Sequence, residues 1–117
     1  MVNHTRVAVI GGGVTGCSVL YHLVKAGWGD VTLIERSELT SGSSWHAAGN
    51  LFALTTPANA QRLQLYTIRL YPELERESGQ AIGFHPTGGF HLAASDEEIE
   101  TLSVIRAQGL RNGVETD

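Results

Sequence analysis

The feature of this sequence that points most directly to a functional site is a set of glycines at a fixed spacing. Residues 11–16 read GGGVTG and satisfy the pattern G-x-G-x-x-G. Gly11 permits a tight turn, Gly13 lets backbone approach a phosphate, and Gly16 allows a helix to pack closely on a strand. The unpaired N–H groups at the start of that helix attract phosphate oxygens. The motif therefore predicts a dinucleotide site.

An acidic residue lies where such a site needs one. Glu35 is 19 residues beyond Gly16 and follows a second apolar run. A carboxylate there accepts hydrogen bonds from ribose hydroxyls, and it repels the 2′-phosphate of NADP. The motif does not choose between nicotinamide and flavin dinucleotides.

His46 is the candidate for covalent or acid–base chemistry, within the segment TSGSSWHAAG. A single histidine in a loop is most often an ordinary hydrogen-bonded residue. Ser44 and His46 also lack a matching carboxylate, which disfavours a hydrolase. His85 and His91 flank a predicted turn and should point to opposite faces, so no metal site is predicted.

Composition excludes several classes of function. The 117 residues carry a net charge of -4, which disfavours nucleic acid and acidic membrane surfaces as partners. No segment approaches the ~18 apolar residues of a membrane span, and no signal-peptide core follows the N-terminus. Cys17 is the only cysteine, which is typical of a reducing compartment such as the bacterial cytoplasm.

The elements that would position these residues form a βαβ unit. Residues 7–10 and 31–34 are apolar runs, typical of parallel strands buried on both faces. Between them a helical stripe begins at Val14, and Gly27 is placed for a left-handed C-terminal cap.

After Glu35 the patterns are weaker. Residues 36–56 are predicted to be mostly loop, with a short helix starting near the serines. A helix should follow, and Pro72 predicts a kink or break near Tyr71, with a new turn running to about Glu77. The predicted buried stripe of that helix consists of Leu63, Tyr66, Leu70 and Leu74.

Two further features are predicted towards the C-terminus. Residues 82–94 suggest two short strands around a Pro-Thr-Gly-Gly turn. Ser95 and Glu98 form a capping box, and a helix should run from there to Asn112-Gly113. Its predicted buried stripe is Ile99, Leu102 and Ile105.

Two parallel strands do not make a stable sheet, which typically has ~4 to 6 strands. The fold class predicted is therefore α/β, with residues 1–117 as the N-terminal part of a larger Rossmann-like domain.

The segment from Val7 to about Ala94 resembles the N-terminus of the dimethylglycine and sarcosine dehydrogenases, FAD enzymes of the D-amino-acid-oxidase-like class. The resemblance rests on VIGGGVTGCSVLYHLVKAGWGDVTLIERSELTSGSSWHAAG and, more weakly, on LYPELERESGQAIGFHPTGGFHLA. It implies a D-amino-acid-oxidase-like fold and FAD as cofactor. It also implies covalent attachment of the flavin 8α position to His46.

The resemblance assigns roles to further residues. It implies that Val14 and Thr15 contact the pyrophosphate and that Glu35 and Arg36 hold the adenosine end. It places along the cofactor the loop residues Gly42, Ser43, Ser44 and Trp45.

The implied function is oxidation of the N-methyl carbon of an N-methylated glycine, dimethylglycine or sarcosine for example. Electrons would pass to oxygen or an electron-transfer protein, and folate could take part through a C-terminal region. Substrate-binding residues would lie beyond residue 117, so no catalytic residue is predicted here. A eukaryotic form would be mitochondrial.

Two alternatives remain open. One is a non-catalytic regulatory or interaction subunit of the same family, since such a relative with a similar N-terminus exists. The other is an NAD-dependent dehydrogenase, which would share the glycine motif.

Overall fold

The computed structural model describes residues 4–55 and 57–117, which divide into two compact units. We call them the N-terminal unit, Met1–Asn50, and the C-terminal unit, Leu51–Asp117. The N-terminal unit contains β1 (Val7–Ile10), α1 (Val14–Lys25) and β2 (Val31–Ile34). The C-terminal unit contains α2 (Ala58–Ser78) and α3 (Asp96–Arg111).

The predicted βαβ unit is confirmed. β1 and β2 are parallel neighbours, with Val7 opposite Val31 and Ile10 opposite Ile34. Gly27 has φ of 89° just after α1, the left-handed conformation predicted for it. Gly27 therefore follows the end of α1 where the chain must turn back to form β2 alongside β1.

The strands are less buried than predicted. Val9 belongs to the core, but Ile10 is 84% exposed and Ile34 is exposed as well. The prediction of burial on both faces is wrong for the residues described, because α1 is the only helix of this unit and covers one face.

α2 runs without interruption from Ala58 to Ser78 and includes Pro72. A break near Tyr71 is therefore wrong, a kink there stays a prediction, and the end predicted near Glu77 lies one residue from the observed end. Proline removes one backbone donor, and a helix can continue past that loss where the turns on either side are formed. Gly79, with φ of 67°, ends α2 and its N–H donates to the carbonyl of Glu75 at 2.9 Å.

The buried face of α2 differs from the predicted stripe. Leu70 is buried and Leu74 half-buried, but Leu63 and Tyr66 are exposed. The most buried side chain is instead Gln61, which is 1% exposed and accepts a hydrogen bond from Asn112. Apolar residue type thus failed to locate the face of α2 that packs within its own unit.

The predicted strands within residues 82–94 are not formed. Phe90 is 97% exposed and Leu92 is 92% exposed, so the alternating residues find no apolar surface in the C-terminal unit. A two-stranded hairpin alone is marginally stable in water, which explains why the pattern does not produce strands here. Phe84 alone makes an aromatic contact, edge-to-face with Tyr71 at 5.9 Å.

α3 begins as its capping box predicted. The Ser95 hydroxyl accepts from the N–H of Glu98 at 3.2 Å, and the Glu98 carboxylate accepts from the N–H of Ala94 at 2.6 Å. The predicted end is also confirmed, with Asn112 as the C-cap and Gly113 at φ of 79°. Of the predicted stripe, Leu102 and Ile105 are half-buried and Ile99 is exposed.

None of the helices formed by residues 4–55 and 57–117 is long and apolar enough to cross a membrane.

The N-cap of α3 can be tested by removing its hydroxyl. We expect Ser95→Ala to lower the free energy of unfolding by about 1 kcal/mol, because the N–H of Glu98 loses its acceptor. Urea unfolding of the purified protein measures the change. Ser103→Ala is the matched control, since its hydroxyl bonds only to the carbonyl of Ile99 one turn earlier. Equal losses in the two variants would contradict a capping role.

Candidate functional site

The glycine turn, residues 11–13, leaves the end of β1 in a conformation that requires glycine. Gly11 has φ of 100°, and its N–H donates to the carbonyl of Ile34 at 2.8 Å. A Cβ on Gly16 would overlap the carbonyl oxygen of Gly11 and would lie 3.6 Å from Val9. The first and last glycines of the motif therefore have the geometric roles that the sequence predicted.

Gly12 matters more than the motif suggested. Its N–H donates to the Glu35 carboxylate at 2.6 Å, and a Cβ there would lie 2.5 Å from the Leu39 side chain. Thr40 donates its backbone N–H to the carbonyl of Gly12 at 2.9 Å. Sequence reasoning missed Gly12 because the motif leaves that position open. The run of three glycines was the available signal.

Glu35 is held by backbone donors on both carboxylate oxygens. Oε2 accepts from Gly12, and Oε1 accepts from the N–H of Ser37 at 3.0 Å. These bonds, the Gly12 bond first, lower the pKa of Glu35, and the charge of neighbouring Arg36 lowers it further. The side chain is therefore an anion at neutral pH.

The N-terminus of α1 receives a side chain from the loop after β2. The N–H of Val14 donates to the Ser44 hydroxyl at 2.8 Å, across 30 residues of sequence. A Cβ on Gly13 would lie 3.0 Å from that hydroxyl oxygen, so Ser44 rests directly against the glycine turn. Ser44 acts as a non-local cap of α1.

His46 lies in a compact turn rather than in the short helix predicted near the serines. We call residues 42–47 the histidine turn. Its N–H groups bond three residues back, from Trp45 to Gly42 at 3.2 Å, from His46 to Ser43 at 3.2 Å and from Ala47 to Ser44 at 3.4 Å. Thr40, just before it, has φ of 65°. Such strain in a non-glycine residue shows that the surrounding bonds fix this conformation.

The ring of His46 has a defined tautomer in this turn. Nδ1 lies 3.0 Å from the carbonyl oxygen of Gly42. A carbonyl oxygen can only accept, so Nδ1 carries the hydrogen. In the neutral imidazole Nε2 is then unprotonated and its lone pair is available.

The remaining predicted site residues surround this cluster. Thr15 is exposed in the first turn of α1, and Arg36 is exposed next to Glu35. In the histidine turn Gly42 and Ser43 contribute carbonyl acceptors, and Trp45 is 78% exposed. Some of the predicted residues thus form hydrogen bonds within this cluster. The others are exposed and lie on the same segments of the chain.

The donor set suits a dinucleotide. The first turn of α1 contains no acidic residue, so its N–H groups and dipole would face a phosphate without a carboxylate in the same turn. A carboxylate has about four lone-pair sites, so the backbone bonds that Glu35 accepts leave acceptor capacity for a ribose hydroxyl. The Val14 N–H is already paired with Ser44, so the phosphate donors that remain belong to the next residues of α1.

Clusters suited to a metal ion were sought as well. Within residues 4–55 and 57–117, no three His, Cys, Asp or Glu side chains come close enough together to hold one.

The N-terminal unit is a parallel βαβ unit with a glycine turn, an acid after β2 and no acidic residue in the first turn of α1. These features define a dinucleotide-binding protein of the Rossmann-like class. The family model of FAD-dependent oxidoreductases, DAO, matches residues 6–117. The chain belongs to this family, which favours flavin over the nicotinamide alternative.

Curated relatives agree with that assignment. Dimethylglycine dehydrogenase of Rattus norvegicus is 44% identical over 84% of this chain, and sarcosine dehydrogenase of Homo sapiens is 39% identical over 95% of it. Both are mitochondrial proteins by name. The pyruvate dehydrogenase phosphatase regulatory subunit of Mus musculus is 36% identical over 88% of the chain. The chain spans only 11 to 12% of the length of these relatives.

The lowered pKa of Glu35 makes a pH-dependent prediction. Ionised Glu35 stabilises the folded state above its ordinary pKa, near 4.5, and this contribution disappears as the pH falls through the lowered folded-state value. We expect Glu35→Gln to lower the urea midpoint at pH 7, with the difference from the unmodified protein shrinking below about pH 4.5. Glu115→Gln, at an exposed carboxyl, is the control. A Glu35→Gln difference that is constant from pH 7 to 3 would refute the assigned role of the charge.

Proposed function

We propose that this chain forms the FAD-binding part of an amine oxidoreductase that oxidises the N-methyl carbon of an N-methylated glycine, with FAD bonded covalently to His46. The observation that carries the proposal is the attachment of the histidine turn to the N-terminus of α1 through Ser44. It brings the only histidine of that loop close to the phosphate-binding backbone. The names of two relatives, at 44 and 39% identity, supply the substrate class.

The cofactor contacts follow from the donors and acceptors described. The first turn of α1, including Thr15, would bind the pyrophosphate, and Gly13 would let the phosphates approach the backbone. Glu35 would accept hydrogen bonds from the adenosine ribose, with Arg36 beside it. Bound FAD would accept two electrons from the N-methyl carbon, which would thereby be oxidised to the level of formaldehyde.

His46 would attach through Nε2, because Nδ1 is engaged with the carbonyl of Gly42. Nε2 would be joined to the flavin 8α position, and the imidazole would release its Nδ1 proton. With the hydrogen displaced from the 8α position, two protons and two electrons would be released in all, and dioxygen would take them up as hydrogen peroxide.

The covalent bond is tested by acid precipitation of the full-length protein. We expect flavin fluorescence to stay with the denatured protein and His46→Ala to release all of it into the supernatant, because the variant lacks the nucleophilic nitrogen. His91→Ala, at an exposed histidine of the C-terminal unit, should retain the flavin. If flavin washes out of the unmodified protein, the covalent linkage is wrong, although reversible FAD binding is not.

A second candidate is a regulatory subunit that does not turn over an amine. The relative that favours it is the phosphatase regulatory subunit, at 36% identity. The glycine turn and Glu35 serve FAD binding equally well in either protein, so geometry in the N-terminal unit does not separate the two.

Anaerobic addition of an amine separates them. We expect dimethylglycine or sarcosine to bleach the visible flavin absorbance of the full-length protein, because electrons from the N-methyl carbon would reduce the bound flavin. Admitting air then identifies the acceptor, since recovery of colour indicates dioxygen and a persistently bleached spectrum indicates an electron-transfer protein. Betaine, which has no N–H or lone pair on nitrogen, is a control. Absorbance unchanged by both methylglycines would favour the regulatory subunit.

The partners in this proposal are the small amine and the electron acceptor. The proposed compartment is a reducing one, the bacterial cytoplasm or the mitochondrion, in keeping with the single cysteine and with the names of the relatives. Participation of folate stays a prediction of the sequence resemblance.

A further inference from the structure

We propose that Ser44 is a positioning residue for flavin attachment, acting by holding the histidine turn on the N-terminus of α1. This inference rests on the proposed covalent bond to His46. It assigns to the Ser44 hydroxyl a role other than contact with the cofactor.

The histidine turn is a continuous hydrogen-bonded segment. Its three backbone bonds follow one another without a gap, from Trp45, His46 and Ala47. The imidazole is tied into the same segment through Nδ1 and the Gly42 carbonyl. The position of Nε2 therefore follows the position of the whole turn, and free rotation of the side chain does not set it.

Two hydrogen bonds join this part of the loop to the glycine turn and to the first residue of α1. One is a backbone bond, from Thr40 to the Gly12 carbonyl at 2.9 Å, and it precedes the histidine turn. The other is the 2.8 Å bond from the Val14 N–H to the Ser44 hydroxyl, which lies inside the turn and two residues from His46. Without the second bond, the turn could pivot about the Thr40 attachment.

The Ser44 bond is well suited to fixing a position. Ser44 is half-buried, and its oxygen is so close to Gly13 that a Cβ there would lie 3.0 Å from it. The N–H it accepts from is the first of α1, which carries the partial positive charge of the helix terminus. Because the capping hydroxyl belongs to the loop, the bond fixes the position of the loop relative to α1.

Attachment needs such precision. Covalent bond formation is fast only when the reacting atoms are held about 3 to 3.5 Å apart, and a displacement of about 1 Å can cost on the order of 100-fold in rate. Reversible binding of the cofactor depends instead on the phosphate and ribose contacts, which are spread over α1 and Glu35. Loss of the Ser44 hydroxyl should therefore slow attachment much more than it weakens binding.

The experiment measures the two quantities separately. Full-length protein from riboflavin-starved cells is mixed with FAD in air, and the Kd comes from flavin fluorescence before attachment. Acid-quenched samples give the rate of covalent incorporation. We expect Ser44→Ala to slow incorporation at least about 10-fold with a Kd within about 3-fold of the original. Ser44→Thr, which restores the hydroxyl, should recover most of the rate.

Ser41→Ala is the matched control, because the Ser41 hydroxyl donates to the carbonyl of Glu38, outside the histidine turn, and the variant should attach flavin at the original rate. If Ser44→Ala attaches flavin as fast as the original, the positioning role is wrong while the His46 linkage stands. If Ser44→Ala loses rate and affinity equally and Ser44→Thr does not recover, Ser44 is merely structural and the proposal is overturned. If the unmodified protein binds FAD but never attaches it, the covalent proposal fails first and takes this inference with it.

Discussion

The backbone N–H groups between the end of β1 and the start of α1 are the constraint on which the rest of the N-terminal unit depends. The N–H of Gly11 donates to the carbonyl of Ile34 in β2, whereas the N–H groups of Gly12 and Val14 bond to side chains from far along the chain. Glu35 reaches Gly12 across 23 residues, and Ser44 reaches Val14 across 30. Parallel pairing of β2 with β1 brings Glu35 beside the turn, and the loop after it then follows the surface of the turn closely. The pairing of β1 with β2, the position of Glu35 and the path of the loop after it therefore depend on one another.

That arrangement also sets the electrostatics of the site. Hydrogen bonds to a carboxylate are roughly twice as strong as neutral ones, and those from Gly12 and Ser37 keep Glu35 ionised. An anion so close to a phosphate-binding turn would repel phosphate if it stood in the first turn of α1. It stands instead after β2, where a ribose would meet it, and the first turn of α1 stays free of acids. The separation of the acid from the helix terminus would let one site bind both a sugar and a pyrophosphate.

Local patterns in the sequence predicted the elements that local interactions form. The single strands and helix of the βαβ unit, the left-handed Gly27 and the Ser95 capping box depend mainly on neighbouring residues. The strands predicted in residues 82–94 failed, since a hairpin requires a surface to pack against. Leu63 was wrongly predicted to be buried, because residue type does not reveal which helix face meets a neighbour. The Ser44 bond was beyond prediction, because no spacing rule links a loop serine to an amide 30 residues earlier.

The position of the site explains why this part of the chain matches relatives that act on different amines. The glycine turn, Glu35 and the histidine turn all follow the carboxyl ends of β1 and β2, where parallel sheets bind their ligands. The groups gathered there are amides, a carboxylate, hydroxyls and one imidazole, which suit phosphate, ribose and flavin. Dimethylglycine and sarcosine differ by one methyl group, and relatives named for each are 44 and 39% identical to this chain. Comparable identity to both relatives is what a segment that serves the cofactor, and not the amine, would show.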